Sequence, residues 1–238
     1  MQEKIDSYYK FSQRQLKDIL AKKTALLVID MQKYQVQKDF TAYKAFNKIT
    51  PGLLDYFISE VENKVIPNLQ KLINFCREIG TLVIYTKYSS YMPDGSDLPN
   101  TTKKINELAK NLLGDVGFPH ISHPSSEIIS DLTPEVRDLV IQKNTSGTFI
   151  SNRLDSFLTN MNIETVLVSG VVTNICVEST AREAFDYGFQ VVIVEDCCAA
   201  WSPEIHNATL KSFGLLYGFI LTHEKVIKKM AKTMKSVE

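Results

Sequence analysis

Six short runs rich in Val, Ile and Leu recur along the 238-residue chain, and they lack the polar alternation of half-exposed strands. Runs of this length and composition predict buried strands. They span residues 24–29, 81–86, 139–141, 165–169, 191–195 and 219–222. Stretches with helical spacing separate them, so strand and helix alternate. Because strands buried on both faces are typical of parallel sheets covered by helices, we predict an α/β fold, a three-layer α/β/α doubly wound architecture with a mostly parallel sheet of about six strands.

Local signals place several helix boundaries. Gly80 closes a helical stretch that contains Leu69 and Cys76, at a position suited to a left-handed cap. The sequences Thr133-Pro134 and Ser202-Pro203 each combine a capping residue with a proline, which predicts that a helix starts at both places.

Composition narrows the class of protein. The 27 basic and 27 acidic residues cancel, which removes the long-range field that nucleic acid or an anionic membrane would need, so neither partner is expected. A chain of this length predicts one domain, residues 1–238, with residues 1–22 as an N-terminal extension. The first twenty residues lack the apolar core of a signal peptide, and the predicted location is cytoplasmic, where the four cysteines stay reduced.

Two segments do not follow the strand–helix pattern and are predicted insertions. They cover residues 33–60 and 88–130. Ligands of open parallel sheets bind beyond the carboxyl ends of the strands, where such segments gather. We therefore expect the insertions to shape a pocket there.

Three polar side chains follow predicted strands and belong on the same rim of the sheet. They are Asp30, Lys143 and Cys176. A cysteine at a helix N-terminus beside a lysine is favoured as the thiolate, and a neighbouring carboxylate can move its proton. This arrangement predicts an activated nucleophile. The alternative is a buried structural cysteine, a capping aspartate and a surface lysine.

Longer motifs contain these three residues. They read LLVIDMQ (26–32), VIQKNTSGTF (140–149), LVSGVVTNICVESTAREAFDYGF (167–189) and VVIVEDCCAA (191–200). With these motifs in this order, the chain resembles the isochorismatase-like cysteine hydrolases over roughly residues 24–225.

The resemblance implies a catalytic triad of Asp30, Lys143 and Cys176. Cys176 would attack a carbonyl carbon, Asp30 would transfer protons, and Lys143 would hold the charges in place. It also implies a cis peptide between Val172 and Thr173, with the backbone N–H groups of Thr173 and Cys176 forming an oxyanion hole.

The resemblance also allows a prediction of whether the protein binds a metal ion or a cofactor. Nicotinamidase-like members carry an Asp-x-His motif after the second strand, whereas residues 85–97 read YTKYSSYMPDGSD and contain no histidine. His120 and His123 follow later without neighbouring carboxylates in the family's arrangement. We expect neither a metal nor another cofactor.

Because Cys176 is present, the resemblance favours hydrolysis of an amide or carbamoyl C–N bond in a small molecule. The motifs are closest to ureidoacrylate amidohydrolases, biuret hydrolases and N-carbamoylsarcosine amidases. Candidate substrate-pocket residues are Tyr34, Tyr88, Asn174 and Trp201, and the last could instead fill a subunit interface. Family members are often dimers or tetramers, so a homodimer or homotetramer is expected. Vinyl-ether hydrolysis of the isochorismatase type and a non-catalytic ligand-binding relative remain the alternatives.

Overall fold

The computed structural model describes residues 1–235, and a six-stranded sheet forms its centre. All five pairs of neighbouring strands are parallel. The strands are β1 (Thr24–Ile29), β2 (Leu82–Tyr88), β3 (Leu139–Lys143), β4 (Thr165–Val171), β5 (Gln190–Ala199) and β6 (Phe219–Leu221). The predicted fold class is confirmed.

The strand order, β3-β2-β1-β4-β5-β6, places β1 and β4 at the centre. The chain winds outward from β1 to β2 and β3 on one side and then returns to β4 on the other. In doubly wound sheets, this reversal opens a crevice beyond the carboxyl ends of the two central strands. Topology therefore directs attention to the residues that follow β1 and β4.

Helices cover both faces of the sheet. The helices in chain order are α1 (Gln2–Gln13), α2 (Lys33–Val36), α3 (Thr41–Ile49), α4 (Asp55–Glu60), α5 (Ile66–Glu78), α6 (Asn100–Leu113), α7 (Leu154–Asn160), α8 (Glu178–Asp186), α9 (Pro203–Leu216) and α10 (His223–Lys235). Helices α5 and α10 pack on one face, and α7, α8 and α9 pack on the other. Strand β1 is buried throughout, with Leu26 and Val28 in the first core and Leu27 and Ile29 in the second.

The predicted boundaries of five strands and one predicted helix start differ from the observed ones. Strand β2 covers residues 82–88 rather than 81–86, β4 continues to Val171, and β6 ends at Leu221. Strand β3 extends to Lys143, and β5 continues to Ala199.

No helix starts at Thr133, because only residues 133–138 separate a short 3₁₀ turn from β3. In this short segment the Asp138 carboxylate accepts a hydrogen bond from the backbone N–H of Glu135 and forms an ion pair with Arg77. That prediction was wrong.

Two other boundary predictions are confirmed. Ser202 is the N-cap of α9 and accepts a hydrogen bond from the backbone N–H of Ile205 at 3.3 Å. Gly80 follows α5 with a φ of +70°, and its N–H donates to the carbonyl of Arg77.

The N-terminal extension is a helix that packs on the rest of this chain. The Gln13 amide donates to the carbonyls of Gly214 and Gly218 at 2.7 and 3.0 Å and accepts from the backbone of Ile220 at 2.9 Å. Helix α1 is thereby attached to α9 and to the edge strand β6. Within residues 1–235, no helix is both long enough and apolar enough to cross a membrane.

A glycine allows the two central strands to approach at the crevice. Gly170 of β4 has a φ of +100°, and a Cβ there would lie 2.1 Å from the carbonyl oxygen of Ile29, the last residue of β1. A side chain at this position would push apart the strand ends that carry the candidate site.

We therefore expect Gly170→Ala to lower the free energy of unfolding by about 3–5 kcal/mol, because it combines a left-handed backbone with a clash against backbone. Gly188→Ala is the control, since Gly188 also has a positive φ, +88°, but nothing lies within 4 Å of its Cβ position. That variant should lose only about 1–2 kcal/mol. Urea unfolding of both variants measures the difference, and equal losses would contradict the close-approach argument.

Candidate active site

Three side chains at or just beyond the ends of different strands meet at the carboxyl edge of the sheet. Asp30 follows β1, Lys143 ends β3, and Cys176 lies in a π-helical turn, Thr173–Val177, between β4 and α8. The structure thus brings together the three residues that the sequence placed on one rim.

A buried ion pair joins two of them. The ammonium Nζ of Lys143 lies 2.7 Å from Oδ2 of Asp30, and both side chains are fully buried. Nζ also donates to the carbonyl oxygens of Thr145 and Ser146, each at 3.0 Å, and lies 4.9 Å from the centre of the Tyr88 ring. Burial opposes the charge, but Asp30 and Cys176 outweigh that effect and raise the pKa of Lys143, so the ammonium stays protonated.

Asp30 is held in position by backbone and side chain. Its φ of +51° is uncommon for a residue other than glycine but tolerated by aspartate. The hydroxyl of Thr86 accepts from the backbone N–H of Asp30 at 3.1 Å and donates to Oδ1 at 2.6 Å. One carboxylate oxygen therefore faces a threonine of β2 and the other faces Lys143.

The turn that carries Cys176 starts at Val172. The carbonyl of Val172 accepts hydrogen bonds from the backbone N–H groups of Ile175 and Val177 at 3.0 and 3.3 Å. The cis peptide precedes this residue and joins Val171 to Val172, so the predicted position between Val172 and Thr173 was wrong by one residue. Val172 has extended backbone and already begins the turn, which places the cis bond at the end of β4.

The surroundings of Cys176 act on its thiol in opposite directions. Burial raises the pKa of this thiol to about 12, Lys143 lowers it, and Asp30 raises it. The lysine charge is largely neutralised by Asp30, and the residue is only 8% exposed. Burial thus favours the protonated thiol over a preformed thiolate, and a carboxylate lies beside it.

Glu183 of α8 positions the loop that surrounds the lysine. Its carboxylate accepts from the backbone N–H of Phe149 at 2.8 Å, and a Cβ at Gly147 would lie 2.0 Å from its Oε1. The loop that it holds supplies the carbonyls bound by Lys143. Sequence reasoning missed Glu183, although its position seven residues after Cys176, on the same side of a helix, was a readable signal.

Gln32 is a second residue that the sequence analysis left without a role. Its Oε1 accepts from the backbone N–H of Tyr88 at 2.7 Å, and its Nε2 donates to the carbonyl of Ser126 at 2.7 Å. This buried amide joins the end of β1 to β2 and to the second insertion. Thr173 has a similar role in the turn, because its hydroxyl lies 2.9 Å from Nδ1 of His206 on α9.

A cavity of about 410 Å³ opens in front of Cys176. Its walls come largely from the two predicted insertions, as expected. Tyr34, Tyr88 and Trp201 line it, and Trp201 packs edge-on against Phe46 at 5.3 Å between ring centres. Asn174 is not among the lining residues, although it belongs to the same turn as Cys176.

Potential metal ligands form one group of three within residues 1–235, namely Asp196, Cys197 and His223. Both carboxylate oxygens of Asp196 already bind His223, one through its backbone N–H and one through Nδ1. This contact caps the start of α10. His120 and His123 bind neighbouring serine side chains through Nδ1, at 2.8 and 2.7 Å.

The electrostatics of the site predict an unusual response to loss of its carboxylate. Asp30→Asn removes a negative charge and leaves Lys143 beside the thiol, so the pKa of Cys176 should fall. A fall of about one unit in the pKa of Cys176 raises its thiolate fraction at pH 7 about tenfold. We therefore expect iodoacetamide to alkylate Cys176 at least about tenfold faster in this variant than in the parent protein. Peptide mass spectrometry measures the rate, and a thermal melt establishes that the variant is folded.

Asp94→Asn, at an exposed loop carboxylate, is the matched control and should alkylate at the parent rate. An unchanged or slower rate in the Asp30 variant would contradict the assigned electrostatics.

Sequence comparison identifies relatives over most of the chain. A family model described as the isochorismatase domain matches residues 24–225. A ureidoacrylate amidohydrolase of Acinetobacter baylyi is 31% identical over 212 residues, 83% of this chain and 79% of that protein. Nicotinamidase 3 of Arabidopsis thaliana is 28% identical over 216 residues, 90% of this chain and 92% of that protein.

Solved structures share the fold. A cysteine hydrolase from Pseudomonas syringae superposes with a TM-score of 0.70 at 23% identity, covering 91% of this chain and 96% of that one. An N-carbamoylsarcosine amidase from Thermoplasma acidophilum gives a TM-score of 0.59 at 24% identity, covering 85% and 97%. With its doubly wound sheet and a family match that spans both central strands and the Asp30, Lys143 and Cys176 cluster, the chain belongs to the isochorismatase family of hydrolases.

Proposed function

We propose that this hydrolase cleaves the C–N bond of a small amide or carbamoyl compound and releases ammonia, with Cys176 as nucleophile. The observation that carries the proposal is a buried carboxylate–ammonium pair beside the thiol of Cys176, which lines a cavity. Two relatives, named as a nicotinamidase and a ureidoacrylate amidohydrolase, support the bond type.

The first half of the reaction forms a thioester. Asp30 accepts the proton of the Cys176 thiol while the sulfur attacks the carbonyl carbon, because a neutral thiol is a weak nucleophile. Asp30 then protonates the amine as the C–N bond breaks. Ammonia leaves and the acyl or carbamoyl group stays on sulfur.

Water completes the reaction. Asp30, again a carboxylate, accepts a proton from a water molecule whose oxygen attacks the thioester carbon. The C–S bond breaks, the sulfur regains a proton, and the carboxylic or carbamic acid leaves. One water is consumed for each ammonia released, so the atoms balance.

Lys143 and the backbone of the turn have supporting roles. The lysine keeps Asp30 oriented and offsets its charge, so that proton transfer does not leave an isolated anion in a buried site. The backbone N–H groups of Thr173 and Cys176 are the proposed oxyanion hole, because both belong to the turn that carries the nucleophile.

Replacing the nucleophile tests the mechanism directly. Cys176→Ala should reduce ammonia release from any productive amide or carbamoyl substrate by at least about 10⁴-fold, because the covalent route is lost. Cys76→Ala, at a fully buried cysteine of α5, is the matched control and should retain activity. A coupled ammonia assay measures both variants, and an acylated Cys176 peptide after rapid quenching would establish the thioester. Full activity in Cys176→Ala would exclude this mechanism.

Assembly into a homodimer or homotetramer is part of the same proposal. Tyr8 and Phe11 of α1 and Leu216 of α9 are at least half exposed and border one groove, which makes this surface the proposed contact. Sedimentation velocity should give the mass of a dimer or tetramer, and Phe11→Lys should shift it toward the monomer. A monomer at about 100 µM would refute assembly.

A further inference from the structure

The cavity in front of Cys176 is lined without charge. Seven of its eighteen lining residues are aromatic, and within residues 1–235 none of the lining side chains is Asp, Glu, Lys, Arg or His. A carboxylate bound in such a cavity would lose its hydration without gaining a counter-ion, which opposes its binding.

Two lysines lie close to rings of this cavity, and both are already bound to other groups. Lys143 faces Asp30 and two carbonyl oxygens. Lys38 lies 5.9 Å from the ring centre of Tyr43, a lining residue, but its ammonium is 4.0 Å from the Asp55 carboxylate. Neither contributes a side chain to the cavity wall.

The hydroxyl groups of the lining tyrosines are also bound. Tyr34 donates to the carbonyl of Tyr88 at 2.7 Å, and the Tyr88 hydroxyl lies 3.1 Å from that of Thr102. Tyr43 donates to Asp55 at 2.6 Å. These three tyrosines therefore offer ring surfaces to a ligand rather than free donors for an anion.

Two groups of rings frame the cavity. Phe46 and Trp201 form an edge-on pair, and Phe118 lies edge-on to both Tyr34 and Tyr88, each at 5.7 Å between ring centres. A flat apolar group gains contact and ring–ring attraction in such surroundings.

We propose that the substrate is uncharged and carries an apolar, preferably aromatic, group that occupies this cavity while its amide or carbamoyl group reaches Cys176. The inference rests on the proposed function for its reactive group, but its charge selectivity comes from the cavity lining. A preference for uncharged substrates would distinguish this protein from the relative named for ureidoacrylate, because ureidoacrylate carries a carboxylate.

The test compares three matched amides: 3-phenylpropanamide, its 4-carboxyphenyl analogue and the methyl ester of that analogue. Trp201 is the only tryptophan of the chain and lines the cavity, so its fluorescence reports binding in the Cys176→Ala variant without turnover. We expect the two neutral amides to bind at least about thirtyfold more tightly than the carboxylate, since an unpaired buried charge is excluded. Because the methyl ester carries a group of similar size to the carboxylate but no charge, it shows whether charge or size causes the difference in affinity.

A lysine placed in the wall should reverse the preference. Ile105 of α6 lines the cavity and is partly exposed, so Ile105→Lys in the Cys176→Ala background gives the ammonium access to both ligand and solvent. It should tighten binding of the carboxylate at least about tenfold, while Ile105→Met, its uncharged control, should leave it unchanged within about twofold.

The outcomes distinguish the inference from the proposed function. Binding of the carboxylate as tightly as the ester, or no fluorescence response to either neutral amide at about 10 mM, would overturn the inference. Tight neutral binding without ammonia release by the parent protein would support the cavity assignment and count against the proposed hydrolysis of these amides. Neutral binding with Cys176-dependent ammonia release would support both.

Discussion

The buried ion pair between Asp30 and Lys143 is the interaction on which the candidate site depends. Removing two charges from water is costly, and such a pair persists only where further hydrogen bonds satisfy its remaining atoms. Here those bonds come from Thr86 on β2 and from the carbonyls of Thr145 and Ser146. The pair therefore connects β1, β2 and β3 at one edge of the sheet, and loss of either partner would leave an uncompensated charge, at a typical cost of about 3–5 kcal/mol.

The same pair determines the chemistry available to Cys176. A lone lysine beside the sulfur would favour a thiolate, but a lysine already neutralised by Asp30 leaves burial as the dominant influence on the thiol. The site thus places a buried thiol beside a carboxylate that can accept its proton. The Asp30–Lys143 pair carries no net charge, which agrees with the uncharged lining of the cavity in front of it.

The insertions have a separate role from the sheet. Strand ends and the turn after β4 supply Asp30, Lys143 and Cys176, whereas helices α2, α3, α4 and α6 supply half of the residues that line the cavity. The proposed reacting groups and the residues proposed to select the substrate consequently come from different parts of the chain. Substitutions in the wall can change which molecule fits without moving the ion pair, because Gln32 and Glu183 hold the strand ends and the loop around Lys143 independently.

The sequence by itself determined the fold class, five of the six strand positions to within two residues, and the three polar residues at the carboxyl rim. Apolar periodicity and the position of a residue after a strand are local properties, so they can be read without a structure. Only the tertiary structure decided the contact between Asp30 and Lys143, the burial that raises the pKa of the Cys176 thiol, the position of the cis peptide between Val171 and Val172, and the uncharged cavity. Each of these depends on burial and on groups far apart in the chain, and short-range patterns do not specify how such groups meet.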